Sequence, residues 1–163
     1  MQKCVYTPIM QDQARQPDLP EGIEAALFCA CFNLRKTARA ITQFYNAMLQ
    51  PSGLLATQFS LLVALAIDSP TPISSLAEAL GMDRTTLSRN LKPLQHQGLV
   101  QVAPDDADNR IQLVALTGEG RAALVAAMPL WQEAQRQIVG QLGADRWHTL
   151  LADLSSMVAL TPE

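Results

Sequence analysis

Apolar residues recur with helical spacing in two short consecutive segments near the middle of the chain. In the first segment, Ile73, Leu76, Ala77 and Leu80 share one side of a helix, and Gly81 follows them. This pattern predicts a helix that ends at a residue tolerant of left-handed backbone. The second segment starts almost at once, so a tight turn is expected between two helices.

The second segment predicts a helix with one packed side and one exposed side. Asp83 is a suitable N-cap for it, and Gly98 is a suitable end. At about 100° per residue, three leucines fall on one side and polar or basic residues fall on the other. The leucines are Leu87, Leu91 and Leu94, and the polar residues are Thr85, Ser88, Arg89, Lys92 and His96.

The polar side of this helix carries hydroxyls and cations but no carboxylate. Such a surface suits contact with phosphates and base edges in the major groove of double-stranded DNA. Arg89 is the candidate for a bidentate contact with guanine, whereas Thr85, Ser88 and Lys92 suit phosphates or adaptable base contacts. The alternative is an ordinary solvated helix face, but the preceding turn and the following hairpin favour DNA recognition.

The residues after Gly98 predict a β-hairpin, or wing. Two β-rich runs, 99–103 and 111–116, flank a polar loop in which Arg110 is the only cation. Asp108 is expected to orient Arg110 toward a minor groove, where narrow geometry attracts cations. The alternative is a local surface ion pair worth at most about 1 kcal/mol.

Longer helical patterns flank this central region. The first, from Glu21 to about Pro51, has apolar residues at alternating spacings of four and three, which predicts a helix with one buried side. This apolar seam consists of Leu27, Cys31, Leu34, Ala38, Ile41, Tyr45 and Met48. After the hairpin, Thr117 is expected to cap a helix that ends near Leu142, and a last helix covers about 144–160.

The two last helices carry more apolar residues than one small winged domain needs, which predicts a dimer interface. These residues are Leu124, Met128, Trp131, Ile138, Trp147, Leu150, Leu151, Leu154, Met157 and Val158. The expected fold is therefore mainly α with a small β-hairpin wing. Its predicted parts are a loose arm (1–20), an N-terminal dimerisation helix (21–52), a winged helix-turn-helix region (53–117) and C-terminal dimerisation helices (118–163).

Composition narrows the class of DNA-binding protein. Proteins that cover nucleic acid without sequence preference are strongly basic, whereas this chain has a formal net charge of −3. DNA binding is therefore expected to be local and site-specific. With 163 residues, 48% of them hydrophobic, the chain is long enough for one compact domain. It has no long uncharged apolar run and no signal-peptide pattern, so we expect a cytoplasmic protein without a membrane partner.

The three cysteines do not form a metal-binding pattern. Cys29 and Cys31 make a lone C-x-C, and the only histidines, His96 and His148, do not complete a four-ligand spacing. On one helix the two cysteines would point about 200° apart, which disfavours a disulfide between them. The third cysteine is Cys4, in the arm. No metal or cofactor is expected.

Over nearly its whole length the chain resembles the MarR family of winged-helix transcriptional regulators. The segments that carry the resemblance are 55–65 (L-A-T-Q-F-S-L-L-V-A-L), 73–94, 98–100 (G-L-V), 108–110 (D-N-R) and 116–121 (L-T-G-E-G-R). The resemblance implies a homodimer, most commonly a repressor, on a palindromic operator. It assigns the major groove to Thr85, Ser88, Arg89 and Lys92, and the minor groove to Arg110.

Residues 31–45 are similar to the first helix of the organic-hydroperoxide-sensing branch of that family. The resemblance implies that Cys31 is oxidised and that DNA is then released, with Tyr45 as a partner of the thiolate. Arg35 stands where a second tyrosine is expected, and its charge one turn from Cys31 would favour the thiolate. The alternative is an inert cysteine packed in the apolar seam.

A small-molecule pocket is an equally supported way to control DNA binding. Its expected lining is Phe32, Arg35, Arg39, Phe44 and Tyr45, a mixture of rings and guanidinium groups that suits an anionic aromatic ligand. Ligand or oxidant would favour a dimer geometry in which the two recognition helices no longer match successive major grooves.

Two other classes of protein remain as alternatives. A winged-helix scaffold that binds protein is the first, and a thiol peroxidase that uses Cys31 is the second. The chain offers no readable set of nucleophile, base and orienting group and no phosphate loop, so we expect that it is not an enzyme.

Overall fold

The computed structural model describes residues 22–159, so the predicted arm, Cys4 and Glu21 lie outside the described part. The α-helices are α1 (Ala30–Leu49), α2 (Ala56–Ile67), α3 (Ile73–Ala79), α4 (Arg84–His96), α5 (Gly118–Leu142) and α6 (Ala144–Val158). The strands are β1 (Thr71–Pro72), β2 (Val100–Pro104) and β3 (Gln112–Leu116), and 3₁₀ helices cover Ile23–Phe28 and Gln50–Ser52. The described residues divide into two compact units, of which the first ends at Ala38 and the second begins at Arg39.

In the first unit, the predicted helix from Glu21 is wrong in its opening turns. Ile23–Phe28 is a 3₁₀ helix, and Cys29 is extended (φ −59°, ψ 124°) before α1 begins. The side-chain amide of Asn33 donates hydrogen bonds to the carbonyls of Leu27 (2.8 Å) and Cys29 (3.0 Å), which stabilises this break. The periodicity continues across the break because both segments have apolar residues, so spacing alone did not reveal it.

The apolar seam of α1 is not buried as predicted. Leu27, Cys31 and Leu34 are exposed in the first unit, and Ile41 is exposed in the second. Leu49 is the buried residue of α1, and it packs in the core of the second unit. In each unit, these exposed seam residues are apolar side chains that the described part of the chain leaves accessible.

The core of the second unit forms around α2, which packs against α4, α5 and β3. The ring of Phe59 on α2 stacks on Trp131 of α5, with centroids 5.9 Å apart. Leu124 is buried in this core, and Met128 and Trp131 are partly buried against it. Part of the apolar surface that was predicted for a dimer interface therefore packs within the chain. The large apolar residues that remain exposed on α6 are Leu150, Leu151, Met157 and Val158.

The sheet has three antiparallel strands in the order β1–β3–β2, which confirms the wing. Thr71 pairs with Val114 and belongs to β1, a strand that the sequence analysis does not predict. The Ser69 hydroxyl also accepts a hydrogen bond from the Leu116 backbone N–H at 3.0 Å. A two-residue strand has no periodicity to detect, so only the pairing with β3 defines it.

The predicted cap of α5 is confirmed. Thr117 Oγ1 accepts a hydrogen bond from the Gly120 N–H at 2.9 Å, and α5 ends at Leu142. A final helix is also confirmed, from Ala144 to Val158; residues 160–163 lie outside the described part. Among the described residues no single helix is long and apolar enough to cross a membrane, and Ala30–Ser52 with Ala56–Ile67 meets that test only as a bent pair.

Candidate DNA-binding interface and effector cavity

Helix α4 has the two sides that its sequence predicts. Leu87, Leu91 and Leu94 are at most 1% exposed and fix the helix to the core. Asp83 caps it, because Oδ1 accepts a hydrogen bond from the Thr86 N–H (2.8 Å) and Oδ2 accepts one from the Thr86 hydroxyl (2.7 Å). These hydrogen bonds lower the pKa of Asp83 below its ordinary value. The Asp83 carboxylate therefore caps the N-terminus of α4.

The other side of α4 is a polar, cationic surface. Thr85, Arg89, Lys92 and His96 are exposed and Ser88 is half-buried, while α4 contains no acidic residue. Arg84, the first residue of the helix, is also exposed and adds a cation that the sequence reasoning missed. The sequence signal for Arg84 was its position directly after the N-cap Asp83, which places it in the first turn of α4.

The wing loop is held by two aspartates through backbone hydrogen bonds. Asp105 Oδ1 accepts from the N–H groups of Ala107 (2.7 Å) and Asp108 (3.1 Å), and Asp108 Oδ1 accepts from the Arg110 N–H (3.0 Å). Asp108 therefore acts on the Arg110 backbone, not on its guanidinium as an ion pair would require. Among residues 22–159 no carboxylate pairs with that exposed guanidinium.

The two cysteines in the described part of the chain are both accessible. Cys29 and Cys31 are exposed free thiols, so Cys31 is not packed in a buried seam. Cys29 lies before α1, so the argument that the two thiols point apart on one helix is wrong. Across the described residues no group of three or more His, Cys, Asp or Glu side chains is arranged to hold a metal.

In the second unit, Tyr45 links α1 to α5. Its hydroxyl donates a hydrogen bond to Gln135 Oε1 at 2.5 Å, and its ring meets Phe44 edge to face with centroids 5.8 Å apart. Burial raises the pKa of Tyr45, because the phenolate is poorly solvated there. The hydroxyl therefore remains protonated at neutral pH.

A cavity of about 220 Å³ opens beside Tyr45. Its lining residues are Ile41, Thr42, Tyr45, Leu49, Ala56, Thr57, Phe59, Ser60 and Trp131. Of the predicted lining only Tyr45 belongs to it: Arg39 is exposed and Phe44 stands outside the wall, while Phe32 and Arg35 are exposed residues of the first unit. The rings of Phe59 and Trp131 were missed because only folding brings α2 and α5 together.

A second cavity, of about 320 Å³, shares part of that wall. It is lined by Phe59, Ser60, Val63, Met128 and Trp131. The stacked pair of rings therefore borders both cavities.

A helix, a tight turn and a polar recognition helix followed by a wing define a winged helix-turn-helix transcriptional regulator. Residues 52–111 match the model of the MarR family. The HTH-type transcriptional repressor NicR of Pseudomonas putida is 30% identical over 125 residues, which cover 77% of this chain and 79% of NicR. The chain belongs to the MarR family.

Two further proteins similar to this chain are also transcriptional regulators. The organic hydroperoxide resistance transcriptional regulator of Bacillus subtilis is 29% identical over 90 residues, 55% of this chain and 61% of that protein. The crystal structure of the M. tuberculosis regulator MosR in complex with DNA has a TM-score of 0.72 and 39% identity, covering 80% of this chain and 96% of MosR. The protein is thus a DNA-binding transcriptional regulator, and these relatives are regulators, not enzymes.

Proposed function

We propose that the protein is a homodimeric repressor of a palindromic operator that an effector releases. The observation that carries this proposal is the acid-free exposed side of α4 beside a wing whose exposed Arg110 guanidinium has no carboxylate partner among residues 22–159. Thr85, Ser88, Arg89 and Lys92 would contact the major groove, and Arg110 the minor groove. Two copies would place two such helices on successive half-sites.

The dimer is proposed from the apolar surfaces at both ends of the chain. The 3₁₀ helix and the first half of α1 contain no buried residue, and α6 contains none either. Exposed apolar residues in these segments include Leu27, Phe28 and Leu151. Patches of this kind are typical of protein interfaces. We therefore assign residues 21–52 and 118–163 to dimerisation and 53–117 to DNA binding.

Release of DNA has two proposed routes. The cavity beside Tyr45 can take a small molecule, because it opens between helices that connect to the winged region. Alternatively, an oxidant can react with Cys31. This thiol is exposed, so the oxidant can reach it, and the charge of Arg35 one turn further along α1 would favour the reactive thiolate. Either signal acts only if it favours one of two dimer geometries over the other.

The test is a fluorescence-anisotropy titration of the full chain against the DNA upstream of its own gene. Reduced protein should bind in a salt-sensitive manner, because a few phosphate contacts release counterions. Mild organic hydroperoxide should abolish binding and thiol should restore it if Cys31 is the switch; Cys31→Ser would then bind but ignore oxidant. Binding that oxidant leaves unchanged excludes Cys31 as the switch and leaves the cavity as the proposed route, and failure to bind any DNA upstream of the gene contradicts the proposal.

A further inference from the structure

Another pocket, of about 250 Å³, lies between the end of α2, the strand β1 and α3. We call it the α3 pocket. Its lining residues are Ala64, Ile67, Asp68, Thr71, Ser75, Leu76, Ala79 and Leu80. None of them lines the two cavities described above, and none lies on α4. The α3 pocket is therefore a separate place in the winged region where a ligand could bind.

The only charged residue in the wall of the α3 pocket is an acid. Asp68 is exposed, and no Lys, Arg or His side chain among residues 22–159 forms an ion pair with its carboxylate. The neighbouring sequence offers no cation, because the charged residues from position 40 to position 83 are Asp68, Glu78 and Asp83. The pocket thus has a negative charge that the described part of the chain does not neutralise.

The end of α2 adds to the negative potential at the α3 pocket. This helix ends at Ile67, and the Asp68 N–H donates a hydrogen bond to the Ala64 carbonyl at 3.1 Å. Carbonyl groups in the final turn of a helix carry partial negative charge, so they stabilise a nearby cation and destabilise a nearby carboxylate. The last turn of α2 contains no basic residue. A bound cation would therefore interact favourably with both the helix end and Asp68.

The rest of the wall is suited to a hydrocarbon group. Ile67 is 83% exposed, and an apolar ligand would cover part of its surface. A metal ion would gain nothing from aliphatic contact, and the described residues contain no group of three His, Cys, Asp or Glu side chains arranged to hold one. The aliphatic residues of the wall are Ala64, Ile67, Leu76, Ala79 and Leu80.

A primary ammonium group fits this wall better than a quaternary one. Quaternary ammonium groups have no N–H donor and are typically held by aromatic rings, but the wall contains no Phe, Tyr or Trp. A primary ammonium group has three donors. The wall offers it the carboxylate of Asp68 and the hydroxyls of Thr71 and Ser75 as acceptors.

The volume of the α3 pocket limits the size of the alkyl group. An apolar cavity of about 150 Å³ is sufficient for benzene. A pocket of about 250 Å³ is larger than that, so it has room for an ammonium group with a chain of about six carbon atoms.

We infer that the α3 pocket binds a small primary alkylammonium ion, with the ammonium group at Asp68 and the alkyl chain between α2 and α3. This inference goes beyond the proposed function, which assigns control of DNA binding to the cavity beside Tyr45 or to Cys31. Thr71 of the wall pairs with Val114 of the wing strand β3, and α3 packs against α4. The ligand would thus lie where the wing meets the helix-turn-helix.

Binding is measured on the full chain at neutral pH by titration in two-dimensional ¹H–¹⁵N NMR spectra. The probes are hexylamine, 1-hexanol, hexanoate and hexyltrimethylammonium, which share one alkyl chain. Hexylamine, protonated at this pH, is expected to bind at least about tenfold more tightly than the other three probes and to shift the amide signals of residues 64–80. Equal or tighter binding of another probe overturns the inference. So does hexylamine that leaves the signals of residues 64–80 unchanged.

The role of the carboxylate is tested by two substitutions that remove the same charge. Asp68→Asn should reduce the affinity for hexylamine to that for 1-hexanol, because the ammonium group loses its ionic partner. Glu78→Gln is the matched control: Glu78 is exposed on α3 but lies outside the wall, so the affinity should stay within about twofold. Equal losses in the two variants would indicate general attraction to an acidic surface and overturn the inference.

The place of the alkyl chain is tested by filling the pocket. Ala79→Leu adds volume to the wall without changing its charge, and it should weaken binding of hexylamine at least about tenfold. Ala126→Leu, at an exposed position of α5 outside the wall, should bind hexylamine as the unmodified protein does. Unchanged binding in Ala79→Leu overturns the placement of the chain. The same spectra show whether each variant is folded.

These measurements use no DNA, so they separate failure of the inference from failure of the proposed function. A protein that binds its operator but does not prefer hexylamine contradicts the inference alone. A protein that binds hexylamine at residues 64–80 but no operator DNA contradicts the proposed function and supports the α3 pocket as a ligand site.

Discussion

Thr117 donates a hydrogen bond from its hydroxyl to the Gly98 carbonyl at 2.7 Å and thereby ties the start of α5 to the end of the recognition helix. The same hydroxyl accepts from the Gly120 N–H at 2.9 Å, and the Thr117 N–H donates to the Leu99 carbonyl at 3.2 Å. These contacts join the DNA-binding region to the helix that borders both cavities. The end of α4 and the start of α5 are therefore connected directly by hydrogen bonds.

Gly120→Ala should destabilise this joint. A Cβ at Gly120 would lie 2.0 Å from the Leu99 carbonyl oxygen, so the backbone must move. We expect a loss of about 1–3 kcal/mol in the free energy of unfolding, measured with urea. Gly118→Ala is the control, because its Cβ meets nothing within 4 Å. Equal effects of the two substitutions would contradict the importance of the close approach.

Arg89→Ala should reduce discrimination between operator sequences. A bidentate arginine contact with guanine contributes about 1–3 kcal/mol of discrimination against a wrong base. Lys92→Ala, in contrast, should weaken binding to all sequences and reduce the salt slope by about one. Anisotropy titrations against the operator and its single-base variants measure both quantities. An unchanged sequence preference in Arg89→Ala removes Arg89 from base recognition.

Arg110→Ala should weaken DNA binding without unfolding the protein. The exposed guanidinium has no carboxylate partner to lose among residues 22–159, so the thermal midpoint should hold while affinity falls by about 1.5–3 kcal/mol. A variant that melts early would show that Arg110 has a structural role.

Asp108 stabilises the wing loop through a hydrogen bond to the backbone of Arg110. Asp108→Ala removes the acceptor of the Arg110 N–H and should weaken DNA binding by loosening the loop. Asp108→Asn keeps an Oδ1 acceptor and should restore binding. If Asn is as weak as Ala, the carboxylate charge is required and the backbone hydrogen bond is not sufficient.

Charged residues on α6 should dissociate the dimer. Leu150 is exposed and Leu154 is half-buried on a helix with no buried residue. Leu150→Glu and Leu154→Glu should therefore yield monomers in sedimentation velocity, because a carboxylate in an apolar interface is desolvated. Ile67→Glu, at an 83% exposed position on α2, is the matched control and should remain dimeric. Dimeric Leu150→Glu would contradict the assigned interface.

The cap of the recognition helix should make stability depend on pH. The pKa of Asp83 is lowered in the folded state, so below its ordinary range the unfolded chain binds the proton more readily. The contribution of Asp83 is thus present above about pH 4, its ordinary pKa, and is lost as pH falls through the lower folded value.

Asp83→Asn isolates that contribution. Asparagine caps helices as well as aspartate does but does not titrate, so stability at neutral pH should change little. As the pH is lowered from 7 to 3, the free energy of unfolding should decrease less in the variant than in the unmodified protein. Urea denaturation at each pH measures this free energy. An identical acid dependence in both proteins would contradict the role of Asp83.

Local patterns were enough for the parts of this protein that depend on neighbouring residues. The three leucines of α4, its Asp83 cap and the Thr117 cap follow from spacing and from short-range hydrogen bonds, and all are present in the structure. The acid-free side of α4 is likewise a property of consecutive residues. Helix capping and amphipathic packing act over one or two turns, so the sequence contains their signals directly.

Tertiary structure decided where distant residues meet. Trp131 packs on Phe59 within the chain, β1 exists only through its pairing with β3, and Cys29 lies outside the helix that its apolar neighbours suggested. The cavity beside Tyr45 excludes the arginines that its sequence neighbourhood offered. Periodicity reports which residues are apolar, but only the packing of separate elements determines which surfaces become core, cavity or open face.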